Sequence, residues 1–243
     1  MLRLISNGSH GNNVKIFVSE FDNTIRKVAF SSESHIYLIN EYNGLKWYNL
    51  RLKNRIFNDP VLTSLNSFRI LDLYMISDAI KISHLAPIST TFQYLQGVVD
   101  HYVEVWPHEQ YAPIHGDLTL ANVLFIENRP VIIDWEHFSN EKMPWGFDVL
   151  YFCLSALILP AHSRFLPIKL KEIDVALFKK LTSRFPKYGS TKEMLQSPLC
   201  FFREIFLSDC NWANIVNASP KKLFPLLIDA KTAEDLDKKI CQR

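Results

Sequence analysis

An α+β fold in two lobes is what the sequence predicts: a small antiparallel β-sheet lobe over residues 1–76, then a mainly helical lobe over 77–243. Three observations predict it. The first 30 residues hold three short β-prone runs separated by polar turns. After residue 88, apolar residues recur every three or four positions through most of the chain. One β-rich island, 114–135, interrupts that helical stretch. With 48% hydrophobic and 13% aromatic residues among 243, the chain can bury a core in one large domain or two small ones.

In order, Leu2 to Ile5, Val14 to Ser19 and Thr24 to Phe30 read as antiparallel strands. They are divided by the turn residues Asn7 to Asn13 and by Asp22-Asn23. A helix begins near Ser31 or Ser32, either of which is a suitable cap, and carries Ile36, Ile39, Tyr42 and Leu45 at helical spacing toward the core. A strand over Phe68 to Ile76 closes the small lobe. The second lobe opens with a helix over Ile88 to Trp106, where Phe92, Leu95, Val99 and Tyr102 mark the inward stripe. Asn122 to Ile126 and Pro130 to Ile133 then form a hairpin around Glu127-Asn128-Arg129. Helical patterns return after Gly146, over Asp174 to Phe185, Glu193 to Val216 with breaks, and Ala233 to Cys241.

Composition excludes several functional classes. Lys plus Arg number 27 against 25 for Asp plus Glu, a net charge of +2, too small and too scattered to announce a nucleic-acid partner. Cys153, Cys200, Cys210 and Cys241 lie far apart without zinc-like spacing, and read as reduced thiols of a cytoplasmic protein. The first residues turn polar at Ser6-Asn7-Gly8, before an apolar run long enough for a signal peptide. The most apolar stretch, Val149 to Ala161, is shorter than the ~20 residues a bilayer span needs, so no membrane span is expected and a buried helix is.

The island carries the chemistry. It reads His115-Gly116-Asp117-Leu118-Thr119-Leu120-Ala121-Asn122, followed by Val131-Ile132-Ile133-Asp134-Trp135-Glu136. Taken singly, Asp117 or Asn122 reads as a turn or cap residue; together with a hydrophobic strand ending in Asp134 they point to a reaction. The pattern resembles the catalytic loop and metal-binding segment of the protein-kinase-like superfamily, in the form found in aminoglycoside phosphotransferases and choline kinases. Asp117 and Asn122 stand five apart, as the H-x-D-x-x-x-x-N template requires. What the resemblance implies is a bilobal protein-kinase-like fold and an ATP-dependent kinase that phosphorylates a hydroxyl. Another nucleoside triphosphate is an equal fit.

The spacing has a physical reason. Phosphoryl transfer leaves the protein little covalent work, so catalysis depends on in-line positioning and on cations that neutralise phosphate oxygens. The resemblance implies that Asp117 faces the acceptor hydroxyl as base, that Asn122 and Asp134 hold Mg²⁺ with hard oxygen donors, and that His115 braces the loop. Glu136 is either a further acidic ligand or a solvated carboxylate. Asp148, in Gly146-Phe147-Asp148, matches the aspartate that ties the catalytic loop to the next helix, and also suits a helix N-cap.

In the first lobe the resemblance places a phosphate-reaching lysine at Lys27, with Arg26 as competitor because a one-residue slip swaps the faces of a strand. Its acidic partner is Glu41, with Glu33 as the alternative. Gly8 and Gly11 share one polar turn between strands, where backbone N–H groups are placed to cover phosphates. The adenine hinge falls near Ser77 to Ala79. Only 13 residues separate Asp134 from Asp148, too few for the long activation loop of a protein kinase, which points to a small acceptor. Aminoglycosides, choline-like amines, amino-alcohols and sugars all qualify, and Glu204, Asp209, Trp212 and Asn214 are candidate pocket residues. Two other readings share parts of the pattern. One is a nucleotide-binding scaffold without turnover; the other is a metal-dependent hydrolase using His115, Asp117 and Asp134 as ligands.

Overall fold

The computed structural model describes residues 2–6, 13–54, 58–76, 78–81, 88–158, 172–207 and 229–241. The chain divides into two compact units, Met1–Ala79 with Ile133–Phe138, and Ile80–Ile132 with Ser139–Arg243. It is a mixed α+β protein, with an N-terminal antiparallel sheet and a helical C-terminal part.

In the first unit, β1 (Leu2–Ser6), β2 (Val14–Ser19), β3 (Thr24–Ala29), β4 (Val61–Leu65) and β5 (Phe68–Tyr74) form one antiparallel sheet in the order β1-β2-β3-β5-β4. The first three strands lie where the β-prone runs predict them. The strand expected over Phe68 to Ile76 is β5, which lies second from the edge. Val61–Leu65 adds a strand beyond it through a two-residue loop, Asn66-Ser67, in which Asn66 takes φ 53°. Four of the five β4 residues are exposed, so the segment lacks the apolar alternation that reveals a strand.

Helix α1 (Ser32–Asn49) starts at Ser31, whose hydroxyl accepts from Ser34 N while the Ser34 hydroxyl accepts from Ser31 N, a reciprocal capping box. Its inward face keeps Leu45 of the expected stripe, and Tyr42 at the margin of the core, but is otherwise rotated. Leu38, Glu41, Leu45 and Tyr48 are buried, whereas Ile36 is exposed and Ile39 and Tyr42 are half-buried. The stripe runs through an acidic residue, so hydrophobicity alone reports it poorly. Leu38 joins Val14, Ala29 and Leu71 in a core to which Tyr42, Leu62 and Leu73 add.

In the second unit, β6 (Ile80–Lys81), β8 (Val123–Ile126) and β9 (Arg129–Ile132) form a sheet in the order β6-β8-β9. The expected hairpin turns through Glu127 and Asn128, both at positive φ (48° and 64°), the turn whose twist matches that of its strands. A second, unexpected ribbon pairs β7 (Tyr111–Ile114) with β10 (Ser139–Pro144). Helix α2 (Ile88–Val105) buries Leu95, Val98, Val99 and Tyr102, and Trp106 Nε1 beyond its end donates to Pro113 O at 2.9 Å. That bond fixes β7, the strand leading into His115.

Helix α3 (Phe147–Cys153) is buried at all seven positions and runs on as a π-turn over Leu154–Ile158. Helices α4 (Glu172–Thr182), α5 (Gly189–Gln196), α6 (Pro198–Leu207) and α7 (Ala230–Cys241) complete the unit. Stacked Tyr102 and Trp106, 4.0 Å apart, and Trp145 across the edge of Tyr102 anchor its aromatic core. Among the described residues no helix is long and apolar enough to cross a membrane.

Candidate active site

Strand alternation decides where Lys27 points. On β3, Lys27 is paired with Leu71, which is fully buried, and shares its face with Ala29, while Arg26 takes the opposite face beside Asp72. Arg26 there makes a two-pronged ion pair with Asp72, at 2.6 and 2.8 Å. The face of Lys27 is the one covered by α1. Its Nζ lies 2.8 Å from each oxygen of Glu41, donating to Oε1 and facing Oε2 without a directed bond. Glu33, in contrast, is exposed in the first turn of the helix.

Nζ of Lys27 also donates to Asp134 Oδ1 at 3.0 Å. Burial works against the ammonium, but Glu41, Asp134 and Glu136 outweigh it and hold Lys27 as a cation. Burial equally raises the Glu41 carboxyl, which Lys27 opposes. A 2.8 Å contact to an ammonium is the geometry of a carboxylate, so we read the pair as ionised. Asp134 itself is 39% exposed at the side chain, against 2% for Glu41, so one carboxylate is sealed and the other open.

Asp134 sits two residues past the end of β9 with φ 63°, in the left-handed region that aspartate tolerates better than most residues. The segment carrying it lies against α1 at Gly44, where a Cβ would stand 2.8 Å from Phe138 Cβ and from Trp135 Cβ and Cε3. Asn40 Nδ2 donates to Glu136 O at 3.3 Å, and the rings of Tyr48 and Trp135 approach to 5.1 Å. The Glu136 carboxylate lies 3.4 Å from His137 Nε2.

The second unit builds its loop from backbone hydrogen bonds. The N–H groups of His115 and Gly116 donate to the two oxygens of Asp148, at 2.8 and 3.0 Å. Gly116 takes φ 88°, open to glycine, which lets both N–H groups turn the same way. Asp148 is not the N-cap of α3, a place taken by Gly146 at φ 91°. It lies in the first turn, where the helix dipole favours a carboxylate. Burial pushes its carboxyl up to about 7; the Gly116 and His115 N–H groups oppose this and the Asp117 charge adds to it.

His115 is fully buried, and its Nδ1 accepts from Asp117 N at 3.2 Å, which requires an unprotonated Nδ1. Asn122 ends a one-turn helix (Leu120–Asn122), and its Nδ2 donates to Asp117 O at 2.8 Å and Asp117 Oδ2 at 3.1 Å. Its amide nitrogen is thereby committed to Asp117, so Oδ1 is the end available to a cation. Tyr151, one turn after Asp148 on α3, lies beside this loop; burial first, and Asp117 second, raise its phenol.

The structure thus brings together Lys27, Glu41 and Asp134 in one unit, and His115, Asp117, Asn122 and Asp148 in the other. Glu204 is exposed on α6. Gly8, Gly11, Ser77, Asp209, Trp212 and Asn214 lie outside the described residues. Gly44, Asn40 and Tyr151 are absent from the sequence expectation. A lone glycine within a helical pattern is the one signal that pointed to any of them.

No family model matches the chain, and no curated protein matches it in sequence. Solved structures do, over nearly its full length. It is similar to a provisionally assigned aminoglycoside phosphotransferase from Ralstonia eutropha JMP134, with 14% identity and a TM-score of 0.47, covering 98% of this chain and 93% of that one. It is similar to a choline/ethanolamine kinase family protein from Mesorhizobium loti, with 10% identity and a TM-score of 0.41, covering 99% and 92%. A third, the ternary complex of APH(2″)-IIa with streptomycin and ATP, has 13% identity and a TM-score of 0.43, covering 94% of each chain. At such identities the likeness concerns the fold alone.

Proposed function

We propose that the protein is a small-molecule kinase that transfers the γ-phosphoryl group of ATP, or of another nucleoside triphosphate, to a hydroxyl of a sugar, aminoglycoside or amino-alcohol. The observation that carries this reading is Lys27, a buried cation held at once by a sealed carboxylate, Glu41, and an open one, Asp134. A purely structural ion pair needs no second carboxylate left facing solvent. A lysine that must present positive charge to a triphosphate, beside an acid that must meet a metal, needs both.

Asp117 is the base in this reading. The acceptor oxygen bonds to the γ-phosphorus, the bond from that phosphorus to the β–γ bridging oxygen breaks, the hydroxyl proton passes to the Asp117 carboxylate, and the nucleoside diphosphate leaves. The Asn122 amide holds Asp117 Oδ2 and sets the plane of the carboxylate. His115 and Asp148 fix the loop backbone on either side of Gly116. Lys27 binds the α- and β-phosphates, and Glu41 keeps it charged and aimed.

The residue types suit magnesium. Asp134 in the first unit and the Asn122 amide oxygen in the second are each hard donors that would hold Mg²⁺, an ion ordinarily bound by one or two carboxylates with substrate phosphates and water making up the rest. His115 is fully buried and its Nδ1 accepts from Asp117 N, so that nitrogen serves the loop rather than a metal, which supports the kinase reading over a hydrolase using His115, Asp117 and Asp134. Bound Mg²⁺ supplies the positive charge that neutralises the phosphate oxygens as they develop charge.

The test incubates the parent chain and Asp117→Asn with ATP, Mg²⁺ and a panel of aminoglycosides, amino-alcohols and sugars, and follows acceptors for a mass gain of one phosphoryl group. Transfer by the parent and its loss in Asp117→Asn is the expected result. Nucleotide binding without transfer to any acceptor would return the protein to the class of scaffolds.

A further inference from the structure

We propose that Gly44, seconded by Asn40, is the positioning residue for Asp134: it lets the 133–138 segment rest directly on α1, so that Glu41 and Asp134 are carried by one rigid body. The inference rests on the kinase reading for what Asp134 does, and on contacts within the first unit for how it is placed.

The geometry closes a ring. Glu41 and Gly44 are three residues apart, hence neighbours on one face of α1. Glu41 holds Lys27, Lys27 holds Asp134 Oδ1, Asp134 is bonded to Trp135, and Trp135 packs on Gly44, returning to α1. Asn40 ties the same segment down one residue further on, through Glu136 O, and Tyr37 meets His137 edge to face at 6.1 Å. Trp135 is fully buried, with Trp47 and Tyr48 against its ring.

Glycine is the least favoured residue but proline in a helix interior, so its presence mid-helix calls for a reason. The reason is distance. Two of the three atoms that a Cβ at position 44 would meet at 2.8 Å are themselves Cβ atoms, which no side-chain rotation can remove. With any other residue there, the segment or the helix must retreat, and the shift passes through one peptide unit to Asp134. Gly97 on α2 is the contrast, since a Cβ there meets nothing within 4 Å.

A packing role alone would lower stability and weaken nucleotide binding evenly. A positioning role for a metal-holding carboxylate removes the part of the affinity that magnesium adds. The experiment is calorimetric titration of a non-hydrolysable ATP analogue, with and without Mg²⁺, into the parent, Gly44→Ala, Asn40→Ala and the control Gly97→Ala. Hydrogen exchange of the peptide covering 133–138 is followed in the nucleotide-free proteins.

For Gly44→Ala we expect the tightening due to Mg²⁺ to fall at least tenfold, Mg²⁺-free binding to change less than threefold, and 133–138 to exchange faster while the β8–β9 hairpin does not. Asn40→Ala should show the same pattern at severalfold, and it decides the matter if Gly44→Ala does not fold. Equal Mg²⁺ tightening in the parent and both variants, or an equal loss with and without Mg²⁺, overturns the inference and leaves the kinase reading standing. A parent that binds no nucleotide overturns both.

Discussion

The two halves of the candidate machinery are built from different forces. In the first unit, side chains 14 and 107 residues apart meet as ion pairs, Lys27 with Glu41 and Lys27 with Asp134. In the second, contiguous residues from His115 to Asn122 are held by hydrogen bonds between backbone and side chain, with a distant anchor at Asp148. Ion pairs of this kind respond to the removal of one charge, because the survivor is left buried. A hydrogen-bonded loop responds to the loss of an acceptor, which orphans N–H groups. The difference teaches that a charged site and a shaped loop fail in different ways, and substitutions in each exploit it.

The largest expected effect is on rate. Asp117→Asn retains the loop and the Asn122 contact in outline but removes the base, and phosphoryl transfer should fall by about 10²–10⁴-fold with nucleotide affinity little changed. Steady-state kinetics beside calorimetry separate the two. An equal loss of affinity would mean that Asp117 holds the loop rather than serves the reaction.

Next is Lys27→Met, which strands Glu41 in a sealed site and should cost about 3–5 kcal/mol of folding stability. Urea unfolding measures it. Lys27→Met with Glu41→Leu should recover most of that loss while nucleotide binding stays absent, because the cost lies in the orphaned charge and not in the missing pair. Failure of the double substitution to recover would place the stability of this unit elsewhere.

The anchor of the loop gives a pH signature. Burial raises the Asp148 carboxyl to about 7 from an unfolded value of 3.8, so the native state binds the extra proton between those limits. Its contribution to stability is therefore fully present below about pH 4 and is lost as pH rises through about 7. Asp148→Asn should abolish that slope and cost on the order of 1–3 kcal/mol at pH 5, since the amide turns a donor toward one of the two N–H groups. Unfolding curves at pH 5 and pH 8 check both statements.

The smallest effect expected is a gain. Gly97→Ala meets no neighbour and should stabilise by about 0.5–1 kcal/mol, through helix propensity and a less flexible unfolded chain. Thermal unfolding reads it. A loss would show that α2 needs its glycine as α1 needs Gly44.

The same contrast governs what could be read from the sequence. The loop is local, so His115, Asp117 and Asn122 announced themselves by spacing, and Gly116 by the turn it makes. The three N-terminal strands and the Val123–Ile132 hairpin were legible for the same reason, since alternation and turn residues lie within a few positions of one another. β4 was not, because an exposed edge strand carries almost no apolar signal, and β10 was hidden in the polar run Ser139–Pro144.

Tertiary contacts hid the rest. The inward face of α1 runs through Glu41, which is buried only because Lys27 neutralises it, so a hydrophobic stripe drawn through Ile36 and Ile39 misses it. Arg26 and Lys27 were alternatives in the sequence; the register of β3 against β5 separates them, sending one to Asp72 and the other to α1. Gly44 works through Trp135 and Phe138, about 90 residues away, and a contact of that range leaves no mark on neighbouring positions.

The backbone of Asp134 bears on how tolerant that position is to change. At φ 63° a residue with a branched or bulky β-carbon is strained by roughly 1–2 kcal/mol, whereas asparagine and glycine are accommodated. Asn is therefore the exchange that deletes the charge without disturbing the main chain, and alanine confounds the two. A scan that relied on alanine there would credit the carboxylate with energy that belongs to a peptide torsion.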